Sequence, residues 1–140
     1  MNWFQKEISL QARSRGFHLI TREIESQIPE LRRYAVGLAH IFIQHTSASL
    51  ALNENADPTV RQDMESHFNQ LVPEDVPYFI HTYEGPDDMP AHLRTILTHS
   101  DLTLPVRDGI GALGVWQGIY LWEHRTHAHQ REVIVTVSGG

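Results

Sequence analysis

Residues 34–44 read YAVGLAHIFIQ, a stretch apolar on both faces and rich in branched side chains. Such a pattern suits a central strand covered on both sides, so this segment is expected to run through the middle of a sheet, with His40 satisfied by a partner. Upstream, Phe4, Ile8, Leu10 and Ala12 fall on even positions with polar residues between them. That is the period of a half-buried strand, and Lys6 is the exception on its apolar side. Arg13 to Gly16 reads as a turn into a short strand, Phe17 to Ile20. A helix follows from about Arg22, with Thr21 as N-cap, Ile24, Ile28 and Leu31 inward, and Pro29 ending it.

Downstream of the central segment, Ser49 to Leu52 continues or pairs with it, and Asp57-Pro58 opens a helix. A short carboxylate can accept from the free amides there, and proline lacks the amide proton that would go unpaired. Val60, Met64, Phe68 and Leu71 then form one apolar stripe, ending at Pro73. The polar stretch Pro73 to Asp88 is the longest loop, and it leads into a second proline-initiated helix, Pro90 to Leu97. Strands return in the last third. Leu102, Leu104 and Val106 alternate, Arg107 to Gly109 turns, Val115 to Trp122 alternates, and Val133 to Val137 closes. Two main helices amid seven or so strands indicate an α+β fold of mostly antiparallel, sandwich-like sheets, with residues 1–140 as a single domain.

The 140 residues contain no cysteine and ten histidines, with 11 Lys+Arg against 17 Asp+Glu for a net charge of −6. A chain of this length buries about 68% of its unfolded surface, enough for one core. Without cysteine thiolates, a transition-metal site must draw on histidine, carboxylate and backbone oxygen. Scattered cations on an acidic chain argue against nucleic acid as a partner. No apolar run approaches 18 residues and the opening MNWFQKEISL lacks a basic-then-apolar order, so no membrane association and a cytoplasmic location are expected.

Three regions gather polar chemistry. In residues 44–57, QHTSASLALNENAD, His45 ends the apolar strand and must be hydrogen-bonded or ligated. A satisfied structural histidine and a metal ligand both answer that demand, whereas Asp57 reads as a cap. In residues 77–92, PYFIHTYEGPDDMPAH, His81, Glu84, Asp87, Asp88 and His92 crowd around a loop entering a helix. The two aspartates there are either helix-start residues or ligands, and His92, in the first turn, faces back toward the loop and can meet His81. Residues 123–129, EHRTHAH, read as a hairpin connection whose histidines need no role. Phosphate-binding GxxxxGK, GxSxG and HExxH patterns are absent from the sequence.

The blocks HTSASLALNENADPTVRQDME (45–65), HTYEGPDDMPAH (81–92) and VWQGIYLWEHR (115–125), in this order, resemble the YjbQ family, and the similarity runs from WFQKEISL to IVTV. The resemblance implies an α+β sandwich-like homotrimer with motif histidines in a polar pocket. It also implies secondary thiamine-phosphate synthase activity, in which a pyrimidine diphosphate joins a thiazole phosphate and pyrophosphate leaves. Carried onto this chain, the motif positions imply His45, His81 and His92 as metal ligands. The chain departs from the family pattern at His124, where members often carry Phe, and at His129.

Three imidazoles with one open position match a zinc-type site, with magnesium the other candidate because pyrophosphate usually travels with it. In this expectation Glu84 or Asp88 serves as base, a carboxylate such as Glu84, Asp88 or Glu123 fixes the imidazole tautomers, and Arg125 or Arg61 neutralises a small phosphorylated substrate. Asn53 adds hydrogen bonds, and Trp116 lies at a pocket wall or subunit interface. A metal-dependent hydrolase uses the same parts with an activated water. The alternative from another class is a non-enzymatic oligomer that captures a metabolite or metal without turnover.

Overall fold

The computed structural model describes residues 2–140. Eight strands form two antiparallel sheets. Strand β1 (Asn2–Arg13) pairs with β8 (His129–Gly139), β8 with β3 (Val36–Ile43), β3 with β5 (Asp101–Arg107), and β5 with the short β6 (Ile110–Gly111). The second sheet sets β7 (Gln117–Glu123) between β2 (Gly16–Leu19) and β4 (Ala48–Glu54). Helices α1 (Thr21–Gln27), α2 (Pro58–Leu71) and α3 (Asp88–Leu97) complete an α+β fold. None of them is long and apolar enough to cross a membrane.

The inner faces of the sheets close on one core. Ile8, Leu10, Ala39, Ile41, Ile43, Val133 and Val135 from the larger sheet meet Ala48, Leu50, Ile119 and Leu121 from the smaller, with Ile20, Ile24, Ile28 and Leu31 packed into the same cluster. Phe4, Ile8 and Leu10 alternate inward as the period of two predicts, until a register shift between Leu10 and Arg13 turns Ala12 outward. Lys6 keeps its inward place because its Nζ donates to the Gln27 carbonyl at 2.7 Å and so finds a partner at the end of α1. Thr21 is the first residue of α1 rather than its cap, and its hydroxyl accepts from the Ile119 amide at 2.9 Å. Pro29 ends α1 as expected and begins a 3-10 turn.

The strand buried on both faces is β7, not β3. Residues 34–44 do run through the middle of the larger sheet, but Val36, Leu38 and Phe42 are 71%, 54% and 42% exposed, because nothing among the described residues covers that side. His40 faces the same side and bonds Asp101 at 2.8 Å. In β7, Ile119 and Leu121 enter the core while Tyr120 and Trp122 face α2. Trp116, just before β7, is 64% exposed.

Helix α2 starts as its sequence predicts, Asp57 accepting from the Thr59 amide at 2.9 Å. Its inward face is nevertheless polar. Glu65 accepts from Arg15, Arg94 and Trp122 Nε1, Asn69 accepts from both arginines, and the Arg61 guanidinium sits 5.6 Å over the Tyr120 ring. Of the predicted stripe Phe68 packs on Trp122, at 4.5 Å between ring centroids; Val60 and Met64 are half-buried and Leu71 is exposed.

Candidate metal centre

Helix α3 begins at Asp88, two residues before the proline that marks it in the sequence, and this displacement builds the site. Asp88 and His92 then stand one turn apart on one face of the helix. The loop from residue 72 to 87 folds over that face and returns His81 to it. His81 Nε2 lies 2.7 Å and His92 Nε2 3.1 Å from Asp88 Oδ2, and the ligand atoms of the three residues lie within 4.8 Å of one another. Gly85 makes the turn into the helix at φ 111°, a conformation that side chains rarely adopt.

Asp88 and Asp87 are 2% and 5% exposed and share one cation. Arg125 Nε lies 2.8 Å from Asp87 Oδ2, its Nη1 2.9 Å from Asp88 Oδ1, and its Nη2 3.0 Å from the Glu84 carbonyl. Burial works to raise the Asp88 carboxyl, but the His81 hydrogen bond, with His92 and Arg125, outweighs it and holds the group below the usual carboxylate range. For Asp87, burial is likewise outweighed, by Arg125 and the Thr126 amide.

The hydrogen bonds assign the protons. His92 Nδ1 lies 2.8 Å from the Thr46 carbonyl, which only accepts, so Nδ1 carries a hydrogen. Its Nε2 then faces an ionised carboxylate oxygen, which also only accepts. Two acceptors come this close only with a proton or a cation between them. Donation from one ring nitrogen to a backbone carbonyl is also how metal-binding histidines are oriented. The donor set, two imidazoles and a carboxylate, therefore fits a divalent transition metal.

His45 does not join this group. Its Nε2 accepts from the Glu132 amide at 2.8 Å, and its Nδ1 is 3.4 Å from Arg131 Nη1. Burial and Arg131 push this imidazole down, so it stays neutral. What residues 45–46 contribute to the site is the Thr46 carbonyl. Glu84 is exposed and enters through its backbone oxygen. Asn53 accepts from the Glu54 amide at 2.7 Å, a local bond at the end of β4, and neither it nor Arg61 or Trp116 is hydrogen-bonded to His81, Asp88 or His92. His124, placed by its sequence context in a hairpin tip, is 1% exposed and bonds Ser49 at 2.8 Å. Glu123 and Arg131, both buried, form a bidentate pair at 2.7 and 2.6 Å, and Glu123 also accepts from the Arg125 amide at 3.0 Å.

The family profile described as UPF0047 protein YjbQ-like matches residues 6–140. The chain belongs to the YjbQ family. The UPF0047 protein YjbQ of Escherichia coli is 51% identical over 137 residues, covering 98% of this chain and 99% of that protein. A UPF0047 protein of Synechocystis is 44% identical over 135 residues, covering 96% and 91%. The crystal structure of a conserved hypothetical protein from Thermus thermophilus superposes with a TM-score of 0.80 at 34% identity, covering 93% of this chain and 97% of that one. A protein of unknown function from Sulfolobus solfataricus shares the fold, with a TM-score of 0.85 at 24% identity and 99% coverage of both chains.

These YjbQ relatives correct the expected activity. They are described by family alone or as of unknown function, and none supports a thiamine-phosphate synthase or a metal-dependent hydrolase. Of the arginines expected to neutralise a phosphorylated substrate, Arg125 is held by Asp87 and Asp88, and Arg61 lies over the ring of Tyr120.

Proposed function

We propose that this protein binds a divalent transition metal, zinc before any other, through His81, Asp88 and His92. The observation that carries this reading is His92, which donates from Nδ1 to Thr46 and brings Nε2 within 3.1 Å of the ionised Asp88 Oδ2, a contact that needs a proton or a cation between the two atoms. A bound cation takes that place with two coordinate bonds. Two imidazoles and one carboxylate suit zinc, whereas magnesium prefers an all-oxygen octahedron. Three protein ligands leave a fourth position open.

A homotrimer is part of the same proposal. Tyr78, Ile80 and Tyr83, on either side of His81, are 79%, 97% and 96% exposed, and Val36, Leu38 and Phe42 form a second bare apolar face. Contact with further copies of the chain would cover surface of this kind.

Metal analysis of untagged protein tests the centre. Zinc near one equivalent is expected in the wild type and in His45→Ala, with loss in His92→Ala and Asp88→Asn. Full retention in both of the latter variants overturns the reading.

A further inference from the structure

Next to His81 lies a cavity of about 500 Å³ whose walls come from the loop that carries the histidine and from the first turn of α3. Val76, Pro77, Phe79, Pro86 and Met89 give it an apolar lining, to which Glu74 and Asp75 add carboxylates. Its size is that of a small-molecule site, and an apolar lining with a few polar groups is the usual make-up of one.

The charges around it run against an anion. Asp75, Asp87 and Asp88 are carboxylates, and the one guanidinium among them, Arg125, is held by Asp87 and Asp88. Arg15, the nearest cation on the Glu74 side, is bonded to Glu74 at 2.7 Å and to Glu65 at 3.0 Å. A divalent ion bound by His81, Asp88 and His92 brings Asp75, Asp87, Asp88 and Arg125 together to neutrality and leaves no surplus for a phosphate dianion. Without the ion the surroundings are more negative still.

We infer that the cavity beside His81 binds a small amine with an aromatic or branched apolar body, not a phosphorylated compound. The body rests on Phe79, Val76 and Met89, and the ammonium lies toward the exposed Asp75, since Glu74 is held by Arg15. Burial of the apolar body drives binding, and the Asp75 carboxylate sets the sign of charge that is accepted. The inference rests on the proposed metal centre for the neutral balance of charge.

Benzylamine and phenyl phosphate share a body and differ in charge, so they are the probes. Each is titrated into protein with labelled Met and Val methyl groups, in the wild type with equimolar zinc and in His92→Ala without it. Benzylamine is expected to shift the Met89 and Val76 methyl resonances with an affinity at least tenfold above that of phenyl phosphate. Phe79→Ala and the exposed Asp75→Asn should each weaken it several-fold. Tighter binding of phenyl phosphate overturns the inference, as do methyl resonances unmoved by either probe, the result if a neighbouring subunit fills the cavity. Should zinc fail to bind while benzylamine keeps its preference, the metal reading falls and this inference stands.

Discussion

Arg125 Nη1 lies 2.9 Å from Oδ1 of Asp88, the oxygen that the two histidines leave free. One guanidinium thus fixes the rotation of the carboxylate and, through Nε, holds Asp87 beside it. Arg125 comes from the connection between β7 and β8, so the site joins that turn to the start of α3. The backbone amide of Arg125 in turn donates to Glu123, which is paired with Arg131 in the interior.

Replacing Arg125 by Gln should therefore act twice. Two buried carboxylates lose their counter-charge, at a cost of about 3 kcal/mol in unfolding free energy. Zinc affinity should fall about 10- to 100-fold through the loss of an orienting partner. Asp87 and Asp88 lie below their unfolded value of about 4, so their contribution is present above that pH and lost as the pH falls through their folded values. In metal-free protein, unfolding curves of wild type and variant should converge as the pH drops below 4. A constant gap down to pH 2 would contradict the clamp.

His124 predicts a dependence in a different range. Its Nε2 must donate to Ser49, because the Ser49 hydroxyl is next to Thr98 Oγ1, whose own proton goes to the Arg94 carbonyl at 2.6 Å. Burial, with Arg94, Arg15 and Arg131 nearby, pushes this imidazole down to about 3. The unfolded chain takes up its proton near 6.5, so stability falls with pH between about 6.5 and 3, by about 1.4 kcal/mol per unit. Phe at this position can pack on Trp122, whose ring centroid is 4.9 Å away, and it carries no such slope. His124→Phe should be about 1 kcal/mol less stable at pH 7.5, through the lost hydrogen bond, and the more stable of the two by about pH 5. Urea denaturation across that range reads the crossing, and parallel curves would refute it.

How far the sequence foretold this molecule depends on where each signal resides. The period of β1, the Asp57-Pro58 start and the long loop after Pro73 are local patterns, and all three stand in the structure. Coverage of a strand is not local. Residues 34–44 are the more apolar stretch, yet it is 117–123 that has helix α2 against its far side, and there Tyr120 and Trp122 also find partners in the Glu54 carbonyl and Glu65. Of the site, His81, Asp88 and His92 lie within one motif and could be read from it. Asp88 belongs with the histidines because α3 starts two residues early, and the role of residues 45–46 rests on a backbone carbonyl, which no side-chain pattern reveals.

The polar face of α2 carries the last prediction. Glu65 is the one carboxylate under that helix that meets Arg15, Arg94 and the indole of Trp122 together, at 3.0, 3.0 and 2.8 Å. Arg94 is 1% exposed and packs beside Arg15, so Glu65 also shields two like charges from each other. A helix with no fully buried residue has little apolar contact to fall back on. Glu65→Gln keeps the shape but removes the charge, and should cost about 3 kcal/mol in unfolding free energy. It should also raise hydrogen exchange across residues 58–71 ahead of the sheets. Arg94→Met in the same background should recover part of the loss, because it removes the buried charge left unpaired. If the double variant is no more stable than Glu65→Gln alone, the ion pair is not what holds α2 in place.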